Sequence, residues 1–253
     1  MKNKTGSKFV ILTSQRSGSA WVISILNKLD NTTAYGELFI ARERKPKDKE
    51  TWDSDYAYPR YIEEKSKKIS IRPFSVFSYM NTLYRNSGHL GFKLMYGQLK
   101  KYPEILAYLT CKRIKVIHLV RKNHLDVIVS FAIKNQIKRA HPTSGEEVPD
   151  SIKIDLNPDT LIARMKKLRR NVSIARKMLK WSFLPHMEIA YEDLLEDTSN
   201  YKYISDFLSI DLQTDNFESH LVKIRKGDHK DVIENYTEVK ELLQGSPFED
   251  MIH

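Results

Sequence analysis

The sequence has little of what disulfide-bonded, metal-binding and membrane-spanning proteins require. It contains one cysteine, Cys111, so no internal disulfide can form and a reducing compartment is expected. Its 8 histidines lack the short spacings of metal ligands, which predicts that no metal is bound. No apolar run approaches the roughly 20 residues of a membrane span. The first eight residues lead directly into a predicted strand, without space for a signal peptide. These absences predict a soluble, cytoplasmic protein.

The 253 residues also lack a linker rich in glycine, serine or proline, and they contain no internal repeat. A chain of this length buries a substantial core as one domain. Strand-like runs alternate with helical patterns, which favours a single α/β domain over residues 1–253, with a mostly parallel sheet flanked by helices. The predicted strand–helix pairs are 9–12 with 18–30, 90–95 with 102–111, 115–120 with 124–134, and 187–190 with 200–209.

Two long segments, residues 36–90 and 135–160, fit this alternation poorly. The first mixes many charges with tyrosine and tryptophan, and the second is rich in proline, serine and glycine. Long irregular segments inside a compact domain are often substrate loops. We therefore expect both to lie on the substrate side, with the aromatic residues of the first in contact with substrate.

Positive charge predominates, since 42 Lys and Arg against 32 Asp and Glu give a formal net charge of +10. Much of the excess lies on one predicted amphipathic helix between Asp159 and Trp181. Its cations are Arg164, Lys166, Lys167, Arg169, Arg170, Arg176, Lys177 and Lys180. One interpretation is a face that contacts nucleic-acid phosphates. We favour a solvated surface helix whose field attracts an anionic ligand, because no nucleic-acid-binding motif accompanies it.

The most informative segment begins as an apolar strand at residues 9–12, continues as a small polar turn around Gly18, and then becomes an amphipathic helix. Such a turn aims backbone N–H groups and a helix dipole at one point, where an oxyanion binds. The lysine of nucleoside-triphosphate loops is absent, because Ser19 follows Gly18 and the cation of the turn is Arg16. The turn therefore favours an oxyanion donor other than a simple nucleoside triphosphate.

Two further clusters suit a phosphate. Arg121 follows the predicted buried strand 115–120, and Ser130 lies on the next predicted helix. Because ligands bind beyond the carboxyl ends of parallel strands, we expect Arg121 on the same rim as the first turn. An arginine together with a hydroxyl suits a phosphate monoester. The triplet Arg225-Lys226-Gly227 can clamp a phosphate through its side chains and a backbone N–H.

Taken in order, these clusters resemble the motifs of sulfotransferases that use 3′-phosphoadenosine 5′-phosphosulfate (PAPS). The first turn is similar to their 5′-phosphosulfate loop, Arg121 and Ser130 to their 3′-phosphate motif, and the YEDL that begins at Tyr191 to a strand end near the nucleotide. The spacing from Arg121 to Ser130 resembles the bacterial branch that includes the Nod-factor and trehalose enzymes. The sequence departs from the cytosolic animal enzymes, because Asp228 stands where they have a tryptophan.

The resemblance implies a P-loop-like sulfotransferase fold and a reaction. A sulfuryl group would move from PAPS to a hydroxyl or amine of a small acceptor, a carbohydrate or a secondary metabolite, and 3′-phosphoadenosine 5′-phosphate (PAP) would be released. It implies no metal, no nucleic acid and no membrane partner. The implied nucleotide-binding residues are Gln15, Arg16, Ser17, Gly18, Ser19, Ala20, Trp21, Arg121, Ser130, Tyr191, Arg225, Lys226 and Gly227.

Sulfuryl transfer needs an in-line nucleophile, a base for its proton and stabilisation of charge on the leaving phosphate. Arg16 is the candidate for stabilising the leaving group. Glu37 is the first candidate for the base, because the GELF segment that contains it is similar to a motif of the trehalose-type enzymes. Lys93 is the second candidate, and its alternative role is to contact sulfate or substrate. His118 lies mid-strand and is interpreted as a core or adenosine-side histidine.

Two other functions stay open at this point. A nucleotide-dependent kinase fits an anion-binding turn, but the sequence lacks the kinase lysine and a recognisable Mg²⁺-binding carboxylate. A basic nucleic-acid-binding protein would use the cationic helix instead. Binding of PAP, ATP and DNA, each measured separately, distinguishes the three functions.

Overall fold

The computed structural model describes residues 6–40, 56–65, 71–137, 152–211 and 228–253. Its sheet consists of β1 (Lys8–Thr13), β2 (Thr32–Glu37), β3 (His89–Met95), β4 (Lys115–Val120) and β5 (His186–Ala190). All adjacent strands are parallel, in the order β2-β3-β1-β4-β5. The predicted α/β architecture with a parallel central sheet is therefore confirmed.

Helices surround this sheet and connect its strands. They are α1 (Ser19–Leu26), α2 (Tyr58–Lys65), α3 (Phe74–Leu83), α4 (Tyr96–Lys101), α5 (Glu104–Lys112), α6 (His124–Ile137), α7 (Pro158–Trp181), α8 (Tyr191–Glu196), α9 (Tyr201–Leu208), α10 (His229–Val232) and α11 (Tyr236–Leu243). The first helix ends earlier than predicted, because the Asn27 side chain bonds both the N–H and the carbonyl of Ala34 and turns the chain into β2. In the described ranges, no helix has the length and apolar character needed to cross a bilayer.

Part of the segment 36–90 has regular structure, because it contains α2, α3 and the end of β2 at Glu37. Residues 41–55 and 66–70 of this segment lie outside the described ranges, so the expectation that it is irregular stays a prediction. Strand β2 was not predicted from the sequence, because Ala34 and Gly36 interrupt its β-forming residues. In the second segment, 135–160, α6 extends to residue 137 and α7 begins at residue 158, while residues 138–151 lie outside the described ranges.

Both faces of the sheet are covered. In β1, Val10 and Leu12 join a core that includes residues of α3 and α5. The alternate residues Phe9 and Ile11 join a second core formed with α1 and α9. A third cluster lies between α6, α7 and α11. Because helices cover the faces, the carboxyl ends of the strands are the edge of the sheet where a ligand can bind.

Candidate active site

The turn between β1 and α1 has a backbone conformation that its residues fit closely. Arg16 and Gly18 both adopt positive φ, 60° and 78°. A Cβ added at Gly18 would lie 2.1 Å from the Tyr191 ring, so the ring contact and the φ angle both require glycine. The Ser17 hydroxyl stays inside the turn and donates to the Ser14 carbonyl at 3.0 Å. Ser17 therefore shapes the turn with its side chain.

Arg16 is held in an unfavourable state in two respects, its backbone and its charge. Its left-handed backbone costs about 1–3 kcal/mol, because it is not a glycine. The Arg16 Nε donates to the Ser130 hydroxyl at 2.9 Å. Burial, and next the neighbouring charge of Arg121, lower the pKa of Arg16 to about 10. An anion bound here would stabilise a guanidinium that has lost much of its hydration.

Arg121 follows β4 and joins the two predicted anion motifs. Its Nη1 donates to the Arg16 carbonyl at 3.1 Å, and its Nη2 donates to Asp126 at 3.0 Å. The guanidinium carbon lies 5.2 Å from the centre of the Tyr191 ring. Its Nε is 3.8 Å from Glu192 and is buried without a hydrogen-bond partner among the described residues. A buried N–H of this kind is suited to donate to an oxyanion.

Asp126 connects Arg121 with the last part of the chain. Its second oxygen accepts a hydrogen bond from His229 Nε2 at 3.0 Å. His229 is fully buried, and its Nδ1 accepts from the His253 N–H at 3.2 Å. The carboxylate is therefore fixed by two donors and fixes Arg121 in turn. This role of Asp126 was not predicted from the sequence, although an acid 5 residues after the arginine was a usable signal.

The remaining predicted nucleotide-binding residues divide into three groups. Trp21 packs edge-on against Tyr191 and Tyr201, with ring centres 5.8 Å and 5.6 Å apart. In the turn and the start of α1, Gln15 is exposed, Ala20 is half-buried and Ser19 is buried. The triplet Arg225-Lys226-Gly227 lies outside the described residues, so its contact with a phosphate stays a prediction.

The two candidate bases contact each other. Strands β2 and β3 pair with a register shift at Gly36, which sets Glu37 beside Lys93. Such a β-bulge redirects a side chain at a sheet edge. Lys93 Nζ lies 3.2 Å from one oxygen of Glu37, and Gln98 Nε2 donates to the other at 3.0 Å. Glu37 and Lys93, the two residues predicted as alternatives for the base, therefore lie in one polar group.

Gln98 was not predicted from the sequence, and its position explains how it is oriented. It lies in the first turn of α4, directly after β3. Its side-chain oxygen accepts from the Met95 N–H at 2.9 Å, so the amide nitrogen points to Glu37. A glutamine at the third position of a helix that follows a strand was the signal in the sequence.

A cavity of about 660 Å³ lies beside Glu37. One wall consists of loop residues 14–16, and another consists of residues 95–98 at the end of β3 and the start of α4. Glu37, Phe39, Ile40 and Lys101 also line it. Helix α6 contributes Val127, Ile128 and Phe131, and helix α7 contributes Arg164, Lys167, Leu168 and Asn171. The cavity therefore joins the anion-binding turn to the candidate base and to the basic helix.

A chain of polar contacts begins at Tyr96, which lines the cavity, and leads through a buried histidine to an exposed ion pair. The Tyr96 hydroxyl is 2.7 Å from Nε2 of the fully buried His118, and His118 Nδ1 donates to Glu188 at 2.9 Å. Glu188 in turn pairs with Arg176 at 2.8 Å. Burial lowers the pKa of His118, while Glu188 acts in the opposite direction. His118 is thus a core histidine whose two ring nitrogens both have partners.

Among the described residues, no cluster of three or more histidine, cysteine, aspartate and glutamate side chains could hold a metal ion. The sequence also matches a family model, that of the sulfotransferase domain, over residues 6–242. The chain belongs to the sulfotransferase family. No curated protein matches it significantly.

Solved structures similar to this sulfotransferase share little sequence with it. Mouse sulfotransferase SULT7A1 complexed with PAP has 14% identity and a TM-score of 0.45, over 83% of this chain and 60% of the mouse chain. The sulfotransferase domain from the curacin biosynthetic pathway has 16% identity and a TM-score of 0.47, over 98% and 83%. A sulfotransferase from Alicyclobacillus acidocaldarius has 12% identity and a TM-score of 0.48, over 97% and 92%. The matched region is thus less than two thirds of the mouse chain.

Proposed function

We propose that this sulfotransferase takes its sulfuryl group from PAPS, transfers it to a hydroxyl or amine of a small acceptor, and releases PAP. The observation that carries the proposal is the meeting of Arg16 and Arg121, which are 105 residues apart in sequence, at the carboxyl edge of the sheet. Burial first, and then the positive charge of Arg121, lower the pKa of Arg16 to about 10, so the charged form of Arg16 is disfavoured when no anion is bound. A ligand with several negative charges would stabilise both guanidinium groups.

The residues at this edge fit a nucleotide with phosphates at two positions. The turn at residues 14–18 and the first N–H groups of α1 suit the 5′-phosphosulfate. The buried Nε of Arg121 and the Ser130 hydroxyl suit the 3′-phosphate. Arg225 and Lys226 add two cations to the same phosphate in this proposal. Trp21 and Tyr191 form an aromatic group on the adenosine side.

The polar group around Glu37 supplies the proton chemistry. PAPS provides the sulfuryl group, and the acceptor atom forms a bond to sulfur as the bond from sulfur to the phosphate oxygen breaks. Glu37 takes the acceptor proton in this step, because its carboxylate is held by Lys93 and Gln98 at the wall of the cavity. Arg16 stabilises the negative charge that develops on the departing phosphate. Lys93 holds the carboxylate in place before the reaction.

Isothermal titration calorimetry with PAP, AMP, ATP and duplex DNA tests the donor assignment. We expect PAP to bind at least about 30-fold more tightly than AMP, because AMP leaves Arg121 without a phosphate in a poorly hydrated site. Arg121→Ala should remove most of this difference. Arg170→Ala, which changes an exposed cation of α7, is the matched control and should leave it intact. Equal affinity for PAP and AMP, or a preference for ATP or DNA, would contradict the proposal.

A further inference from the structure

The cavity lies on the side of β1 that faces away from the proposed adenosine contacts. In the sheet, β4 and β5 lead to Arg121 and Tyr191 on one side of β1, whereas β2 and β3 carry Glu37 and Lys93 on the other. The cavity is lined by Glu37, and neither Arg121 nor Tyr191 is among its lining residues. In the proposed function, the acceptor occupies this space and the transferable sulfuryl group lies near Arg16, which also lines it.

The wall that α7 contributes to this space is cationic. Arg164 and Lys167 are three residues apart on α7, so they share one face of the helix. Both line the cavity, and neither forms an ion pair with a carboxylate in the described ranges of the chain. Arg176 on the same helix differs, because Glu188 neutralises it at 2.8 Å.

Among the described residues, the acids that line the cavity do not balance its cations. Within this part of the chain, Glu37 is the acidic residue of the lining, and its carboxylate already contacts Lys93 at 3.2 Å. Lys101 adds a further cation to the lining, near the ring of Tyr102 at 5.5 Å. The half-buried Arg164 has lost part of its hydration and pairs with no acid in the described part of the chain, which favours a bound anion.

We propose that the acceptor of this enzyme is itself an anion, with a carboxylate, phosphate or sulfate ester held by Arg164 and Lys167 while its hydroxyl or amine faces Glu37. The inference rests on the proposed function and adds the acceptor class to it. The two cations offset the repulsion between a negatively charged acceptor and the negatively charged donor. Phe131 and Leu168 also line the cavity and provide apolar contact for the body of the acceptor. Asn171 provides a hydrogen-bonding group.

Matched acceptors that differ only in charge test this proposal. Methyl β-D-glucoside with methyl β-D-glucuronide, and benzyl alcohol with 4-(hydroxymethyl)benzoate, would each be titrated into the PAP-saturated enzyme by calorimetry. We expect the anionic member of at least one pair to bind about tenfold or more tightly than its neutral partner, the effect of one charge-assisted contact. The same preference should appear in sulfation assays with labelled PAPS.

The double variant Arg164→Ala/Lys167→Ala should abolish the preference and leave PAP affinity unchanged. Lys166→Ala/Arg170→Ala removes two exposed cations of the same helix and is the charge-matched control. Equal binding within both pairs, or no binding of either anionic probe, would overturn the inference, as would a loss of PAP affinity in the first variant. A protein that fails to bind PAP at all refutes the proposed function instead, and this is measured before the acceptors are added.

Discussion

The two sides of the central strand differ in how firmly contacts within the protein hold their charged side chains. On the donor side, Arg121 is held by Asp126 and by the Arg16 carbonyl, and Asp126 is held by His229. On the acceptor side, Glu37 is fixed, but the cavity wall carries Arg164 and Lys167 without acidic partners in the described ranges. A site that always receives the same nucleotide can be organised in advance. The acceptor side instead leaves its charges to be matched by the substrate.

Substitutions on the two sides should impair different steps of the reaction. Changes on the donor side should weaken binding of PAP. Changes at Glu37 should leave PAP binding intact and affect turnover. Arg16 lies at the boundary, because it belongs to the turn and also lines the acceptor cavity.

The largest effect is expected for Glu37→Gln. The amide keeps the size and the contact with Gln98 but cannot take a proton, so turnover should fall by about 10²–10⁴. PAP affinity by calorimetry should stay at the wild-type value. Lys93→Met is the matched variant, because it removes the partner and keeps the carboxylate. If Glu37→Gln retains near-normal turnover and Lys93→Met loses it, the base is Lys93 and the donor–acceptor division still holds.

The next effect concerns Arg16 and decides whether the boundary residue acts in binding or in the chemical step. Arg16→Ala should slow single-turnover sulfation by about 10²–10³, because a positioned donor to the developing charge is lost. Arg16→Lys keeps the charge and loses the forked geometry, so it should retain part of the rate. Arg170→Ala removes an exposed cation of α7 and serves as control. Weak PAP binding by Arg16→Ala with an unchanged rate at saturation would make Arg16 a binding residue.

The turn around Gly18 and the position of Arg121 were largely predictable from the sequence, because their determinants are local. The turn around Gly18 is one short segment, and Arg121 follows a run of buried β-formers, so strand ends placed both on one rim. Four of the five strands were predicted for the same reason. Residues 225–227 lie outside the described ranges, and the prediction for them is untested.

The acceptor side could not be predicted in the same way, because its residues meet only through tertiary structure. The contact of Glu37 with Lys93 depends on a bulge at Gly36, and β2 itself has too weak a pattern to be recognised. The packing of α7 against α6 brings Arg164 to the cavity, and helical periodicity alone does not say which neighbour a helix will meet.

A smaller effect is expected for Asp126→Asn, which tests how the donor side holds Arg121. The asparagine side chain lacks the negative charge that orients the Arg121 guanidinium. It also has one acceptor oxygen for the two groups, Arg121 and His229, that donate to Asp126. PAP affinity should therefore fall by about tenfold. Turnover at saturating PAPS should change little, which separates positioning from chemistry. Asp193→Asn is the control, because that carboxylate pairs with the exposed Lys122. Unchanged PAP affinity in Asp126→Asn would show that the packing around Arg121 positions it without Asp126.

The smallest expected effect is on the free energy of unfolding, and it involves His118, the buried partner of Tyr96. Its pKa is lowered from the ordinary value of 6.5, first by burial and then by Arg176 and His186, while Glu188 opposes the shift. The unfolded chain therefore binds a proton at a higher pH than the folded chain, and the free energy of unfolding decreases as pH falls through 6.5. The lowered pKa of Glu188 acts in a separate window below 4.5. Denaturant unfolding of wild type and His118→Gln between about pH 7.5 and about pH 5 should show a shallower decrease in the variant. His186→Gln is the control on the exposed neighbour, and equal slopes for wild type and His118→Gln would contradict the assignment.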